Sequence, residues 1–123
     1  MAVMQSRDTR TEIAGADLSA AQFKFVTLDA GGVVTVAGTA GEQAYGVCIV
    51  GGASGNAVTV VRSGSVLVAA GGTIAAGDAV QTDAAGAALV AATGDVVMGY
   101  AKEAGAAGQI IEIELITGGN VVA

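Results

Sequence analysis

Residues 45–61 read YGVCIVGGASGNAVTVV, and residues 98–114 read MGYAKEAGAAGQIIEIE. At a constant offset of 53 positions Gly46 falls on Gly99, Gly52 on Gly105, Gly55 on Gly108, Val58 on Ile111 and Val60 on Ile113. One deleted residue upstream extends the match, placing Gly32, Val36 and Thr39 opposite Gly86, Val90 and Thr93. A solenoid needs about three stacked units. Two copies therefore predict one small domain with two related halves, a pseudo-repeat over residues 32–61 and 86–114.

The end of each copy alternates with period two. In QIIEIEL, Ile111, Ile113 and Leu115 face one way while Ile110, Glu112 and Glu114 face the other, so one face is core and the other mostly wet. In AVTVVR, Val58 and Val60 oppose Thr59 and Val61. YGVCIV is apolar on both faces, which predicts a central strand or one lying against another subunit. Upstream, QFKFVTL puts Phe23, Phe25 and Thr27 on one face and Lys24 and Val26 on the other. Turn chemistry closes each run, as at Gly77-Asp78 and from Asp83 to Gly86. Glycine reaches φ > 0 without steric cost, and Asn or Asp can bond its own backbone there. Gly46, Gly55, Gly77, Asp78, Gly86, Gly99 and Gly108 are read as structural turn positions. Residues 84–92 have helix propensity from alanine, yet Gly86 interrupts them and Val90 fits a strand equally well. Short strands about every ten residues predict an all-β fold, a small β-sandwich or β-barrel-like domain.

Residues 1–21 have a different texture. RDTRTE concentrates charge with no glycine cluster and no clear alternation, so the division expected is an extended N-terminal arm over 1–21, a β domain over 22–116 and a C-terminal tail over 117–123. An arm of this kind orders on a partner, and its removal is expected to leave the fold intact.

Composition excludes several function classes. The 123 residues are 53 % apolar, but mostly small, with Phe23, Phe25, Tyr45 and Tyr100 the only aromatics. Charged residues make up 13 %, against about 25 % in ordinary soluble domains, so much of the surface is expected to be covered by other subunits. Residues 1–24 sum to zero charge, and the remainder carries the whole −6. Binding to nucleic acid needs a basic stripe, and none is present. The uncharged run from Ser63 to Gly77 is too short and too rich in glycine to span a membrane, and the start MAVMQSRDTRTEI lacks the pattern of a signal peptide. With no histidine, His triads and His metal sites are excluded. GVCIVGGAS lacks the lysine of a phosphate loop, no calcium loop is present, and Cys48 reads as a small buried hydrophobe. Glu112 and Glu114 share a face as solvating acids, Asp78 and Asp83 bond turns, and Tyr45 and Tyr100 anchor a core or an interface. The expectation is a protein that is not an enzyme and has no catalytic residue, metal or cofactor.

The segment TIAAGDAVQTDAAGAALVAATGDVVMGYAKEAGAAGQIIEIELI carries a resemblance. Its G-D-x-V start (Gly77, Asp78, Val80), D-x-x-G turn (Asp83, Gly86), V-x-G-x-A step (Val97, Gly99, Ala101) and closing alternating strand resemble the capsid decoration, or cement, proteins of tailed bacteriophages. The resemblance covers residues 32–115. It implies a non-enzymatic β-rich virion protein, commonly a homotrimer, that binds the outside of a capsid and clamps neighbouring major capsid subunits after synthesis in the host cytoplasm. Arg7, Arg10 and Ile13 on the arm are then the candidates for capsid contact, by β-addition along the shell protein. The rival reading is a carbohydrate- or receptor-binding module of a virion fibre or cell surface, for which the aromatics are few. A small enzyme is remote.

Overall fold

A computed structural model of the chain describes residues 6–116 and 120–122. Among these every regular element is a strand: β1 (Ser6–Ile13), β2 (Lys24–Leu28), β3 (Val34–Val36), β4 (Gly46–Val50), β5 (Ala57–Ala69), β6 (Ala79–Thr82), β7 (Ala88–Val90), β8 (Gly99–Ala101) and β9 (Ile110–Leu115). They form one curled, half-barrel sheet in the order β3-β2-β4-β5-β9-β8-β6-β7, with β1 paired to β5 off that path. The alanine-rich stretch around Gly86 is a turn followed by β7, because Asp83 and Gly86 supply a turn that alanine propensity does not overcome.

β5 is the hub. Val61 lies opposite both Val47 of β4 and Thr9 of β1, so the first half of β5 is flanked on both edges. From Gly64 to Ala69 the same strand pairs with β9. Val61 and Val66 enter the same core, although strict alternation would send them to opposite faces. Gly64, with φ at 92°, sits between them and turns the strand over.

Two apolar cores result. The larger joins Phe25, Val47 and Val61 to Val66, Met98 and Leu115, and the smaller joins Leu18, Val26, Val34, Cys48, Val58 and Val60. β4 therefore has core on both faces, Val47 to one side and Cys48 to the other, which accounts for its uninterrupted apolar run. What covers the second face is this chain's own segment after β1, with Ala14, Leu18 and Ala21 at 2 %, 1 % and 3 % exposure.

That packing changes the expected division of the chain. Ser6–Ile13 is a strand bound to β5, and Ala14, Leu18 and Ala21 are buried in the smaller core, so this stretch packs on the sheet among the described residues. Residues 1–5 of the expected arm lie outside the described residues. At the other end, the expected tail is tied down in part. Val97 donates its N–H to Asn120 O at 2.7 Å, and Val122 donates to Asp95 O at 3.0 Å. Residues 117–119 and 123 lie outside the described residues.

Pairing registers recur along the chain. Val26↔Val36, Thr27↔Thr35 and Leu28↔Val34 join β2 to β3; Val80↔Val90, Gln81↔Leu89 and Thr82↔Ala88 join β6 to β7. Phe25↔Val47 and Val47↔Val61 join β2, β4 and β5 as Ala79↔Tyr100 and Tyr100↔Glu114 join β6, β8 and β9. Irregular positions recur too: Phe23 donates to Cys48 O at 2.6 Å, and Gly77 donates to Ala101 O at 2.7 Å. Gly77 takes φ of 90° there, and Phe23, at 65°, is the one non-glycine residue with positive φ among the described residues. A bulky side chain in that region is strained, so the backbone pattern is held against a local cost of about 1–3 kcal/mol.

Candidate interaction surface

β1 presents two chemically different faces. Arg10 lies opposite Val60 and Glu12 opposite Val58, so both share the face of the smaller core. Thr11 lies opposite Thr59 and Ile13 opposite Ala57, on the other face. Arg10 and Ile13, both candidates for capsid contact, therefore point to opposite sides of the sheet. Arg7 lies within β1, and its side chain is outside the described residues.

On the polar face, charges are tied to one another. Arg10 grips both Asp8 oxygens at 3.2 Å, a bidentate pair on an exposed strand, and Asp8 holds the guanidinium pKa above its ordinary value. The Tyr45 hydroxyl donates to Glu12 Oε2 at 2.6 Å, and that hydrogen bond, with burial, pushes the phenol pKa up. Arg62 stacks its guanidinium 4.3 Å from the Tyr45 ring centroid and donates Nε–H to the Tyr45 carbonyl at 3.0 Å. Tyr45 is thus the anchor its sequence position suggested, packed against the smaller core. The Glu12–Tyr45–Arg62 stack was not foreseen, because its members are far apart in sequence and meet only when β1 and β4 flank β5.

The opposite face is uncharged. Thr11, Ile13, Ala57, Thr59 and Val50 form a continuous surface across β1, β5 and β4, with Ile13 at 44 % and Val50 at 56 % exposure. β1 brings its second backbone edge to this surface; among the described residues its strand pairing is to β5. A neutral, β-branched sheet surface beside an open edge offers contact area and backbone hydrogen bonds and no reactive group.

The predicted turn positions divide by physical role. Gly55, Gly77, Gly86 and Gly108 have φ of 85°, 90°, 81° and 88°. Gly46 and Gly99 are close-approach sites instead. A Cβ at Gly46 would collide with the Val61 carbonyl oxygen, and one at Gly99 with the Glu114 carbonyl oxygen. Asp78 accepts the Ala75 N–H at 2.9 Å, and Asp83 accepts those of Ala85 and Ala87 at 2.8 and 2.9 Å, so both acids are used in turns. Cys48 is fully buried and its thiol is pushed up by desolvation.

Glu112 departs from the expected wet face. It is 5 % exposed, pairs with Lys102 at 3.1 Å, and its N–H donates to Glu103 at 2.9 Å, while Glu114 stays exposed. Tyr100, opposite Glu114, is 45 % exposed and anchors no core. Among the described residues no three His, Cys, Asp or Glu side chains are placed to share a metal ion, and no helix is long and apolar enough to cross a membrane.

A family model described as phage cement protein matches residues 7–115. Among solved structures the fold is similar to that of the N base of head fiber gp8.5 in bacteriophage phi29, with a TM-score of 0.70 and 20 % identity. The match covers 88 % of this chain and 92 % of that one. No curated protein matches the sequence.

Proposed function

Because the chain belongs to the phage cement protein family, we propose that it binds the outer surface of a phage capsid and clamps neighbouring major capsid subunits as a non-enzymatic homotrimer. The family match over residues 7–115 carries the reading. The surface offered to the shell is the uncharged face of β1, β5 and β4, with Ile13 and Val50 at its centre and the β1 edge beside it. Two related halves, built on one repeated set of strand pairings, give the domain its rigidity, and its N-terminal strand is the element that reaches the shell. Nucleic acid and membrane have no part in this reading. The protein is made in the host cytoplasm and loads onto the shell from outside.

A ligand that binds only the expanded shell stabilises it by mass action, and many copies acting together multiply the effect. The test adds purified protein to expanded shells lacking it and measures occupancy and the temperature of genome release. Saturable binding with a raised release temperature is the expected result, and failure to bind expanded shells overturns the reading.

A second reading follows from the similarity to the base of a head fibre. In it the domain attaches to the head without clamping it. Saturable binding with an unchanged release temperature would identify that role. A glycan array distinguishes both from carbohydrate recognition, which would draw on the exposed Tyr100.

A further inference from the structure

The middle of the molecule contains a contact of which each end displays one half. Phe25, Val47 and Val61 of the first half are fully buried in one core with Val66, Val68, Met98 and Leu115 of the second. The register places Ala79, Tyr100 and Glu114 at the positions of Phe25, Val47 and Val61 in the second half. Tyr100 and Glu114 are exposed and Ala79 is half-buried, with no further half over them among the described residues. At the other end Arg10↔Val60 and Glu12↔Val58 correspond to Val66↔Ile113 and Val68↔Ile111. Arg10, Glu12, Tyr45 and Arg62 therefore stand where the second half has Val66, Val68, Met98 and Leu115.

The outer end already accepts a short chain segment in place of a further half, bridged at Val96↔Val121. Gly94 donates its N–H to Val122 O at 2.9 Å, as Gly41 donates to Thr82 O at 2.9 Å inside the molecule. Residues 120–122 take that part of the position and leave Tyr100 and Glu114 open. The two ends also differ in charge in a complementary way. Among the described residues Glu114 makes no ion pair, and neither does Arg62, whose guanidinium is held only by the ring and carbonyl of Tyr45. Setting a second copy on the outer end in the internal arrangement brings its Arg62, at the Leu115 position, toward Glu114, at the Val61 position.

We propose that copies of this chain associate head to tail, the Tyr100–Glu114 face of one copy seated on the Tyr45–Arg62 rim of the next. The proposal rests on the self-association in the reading above and is independent of attachment to a capsid. Such a contact is heterologous, so it closes into a ring or runs on as a filament according to its rotation. The Glu114–Arg62 pair sets register and partner, as charges at interfaces do.

The test measures association of the full chain by sedimentation over a concentration series, with thermal melts to check folding. Glu114→Arg lies on an exposed strand face; it is expected to keep the fold and weaken association by at least about tenfold. Arg62→Glu is expected to do the same, and the double variant E114R/R62E to restore association toward that of the natural sequence. If Arg62→Glu melts early, Arg62→Gln and Glu114→Gln take its place, each expected to weaken association with an unchanged melt. A natural chain that is monomeric throughout, association unmoved by Glu114→Arg, or a double variant no better than the singles each overturns the contact. An oligomer that survives every substitution would overturn this interface and leave self-association itself standing, and shell binding is scored separately.

Discussion

Replacing Gly99 with alanine tests the close approach of β8 to β9. The added Cβ meets the Glu114 carbonyl oxygen first, with the Glu114 carbonyl carbon and Leu115 Cα each 3.2 Å away. All three are backbone atoms of a central strand, so no rotamer change relieves the collision. β8 must withdraw from β9, at an overpacking cost of about 1–3 kcal/mol, and the pairings Gly99↔Leu115 and Tyr100↔Glu114 weaken with it. With about 1 kcal/mol for a weakened ladder bond, the expected loss is about 3 kcal/mol. A chain of 123 residues has an unfolding entropy near 0.26 kcal/mol/K, from about 2.1 cal/mol/K per residue, so Tm should fall by about 12 °C. Gly46→Ala meets the Val61 carbonyl in the same way and should fall by a similar amount. Gly38, around which a Cβ would meet nothing within 4 Å, is the control, and Gly38→Ala should melt within about 2 °C of the natural protein. Calorimetry on the three variants decides the matter. A Gly99→Ala protein that melts with the control would refute the backbone-contact reasoning.

Leu18→Ala, at a position 1 % exposed in the smaller core, should cost about 2–5 kcal/mol in chemical denaturation, and a loss under about 1 kcal/mol would mean that the segment does not cover β4. Deleting residues 1–21 should abolish the cooperative transition seen by circular dichroism, since it removes β1 and uncovers Val58 and Val60. Tyr45→Phe should lose about 1 kcal/mol at neutral pH, where the hydroxyl holds Glu12. The phenol pKa is raised in the folded state, so this contribution is complete below the unfolded value of about 10 and disappears as pH rises through the folded one. Melts of both proteins should therefore converge at strongly alkaline pH, and a gap that widens there would contradict the assignment. Cys48 should resist a thiol reagent at pH 8 in the native protein and react at once in denaturant, as burial requires; rapid native labelling would show that its core opens readily.

The stretch from Gly77 to Leu115 was legible in the sequence because its signals are strong and local. Ile111, Ile113 and Leu115 alternate cleanly, and aspartates flank glycines at its turns. β1 was hidden for a physical reason. In SRDTRTEI the inward-facing positions beside Val58 and Val60 are Glu12 and Arg10, and the regular residues, Thr11 and Ile13, lie on the open face. A strand whose apolar side faces out and whose charges satisfy one another reads as a polar arm. Residues 14–21 were opaque because Ala14, Leu18 and Ala21 cover a core without forming a strand or helix, so no period marks them. Phe23 misled in a smaller way, since its positive φ removes it from the alternation that Phe25 begins. The apolar double face of YGVCIV fits a central strand or one lying against another subunit equally well, and only the folded chain identifies its second cover as the N-terminal segment.

β5 has a mechanical consequence. One uninterrupted strand closes the first set of pairings and opens the second, so among the described residues no flexible joint separates the two sets. Force applied between them runs along this strand, parallel to its length, and loads its lateral hydrogen bonds together in shear. A hinge would fail one bond at a time under such a load; a shared strand must give way along its whole flanked length at once. A protein that holds a shell against pressure from within would transmit that load through residues 57–69.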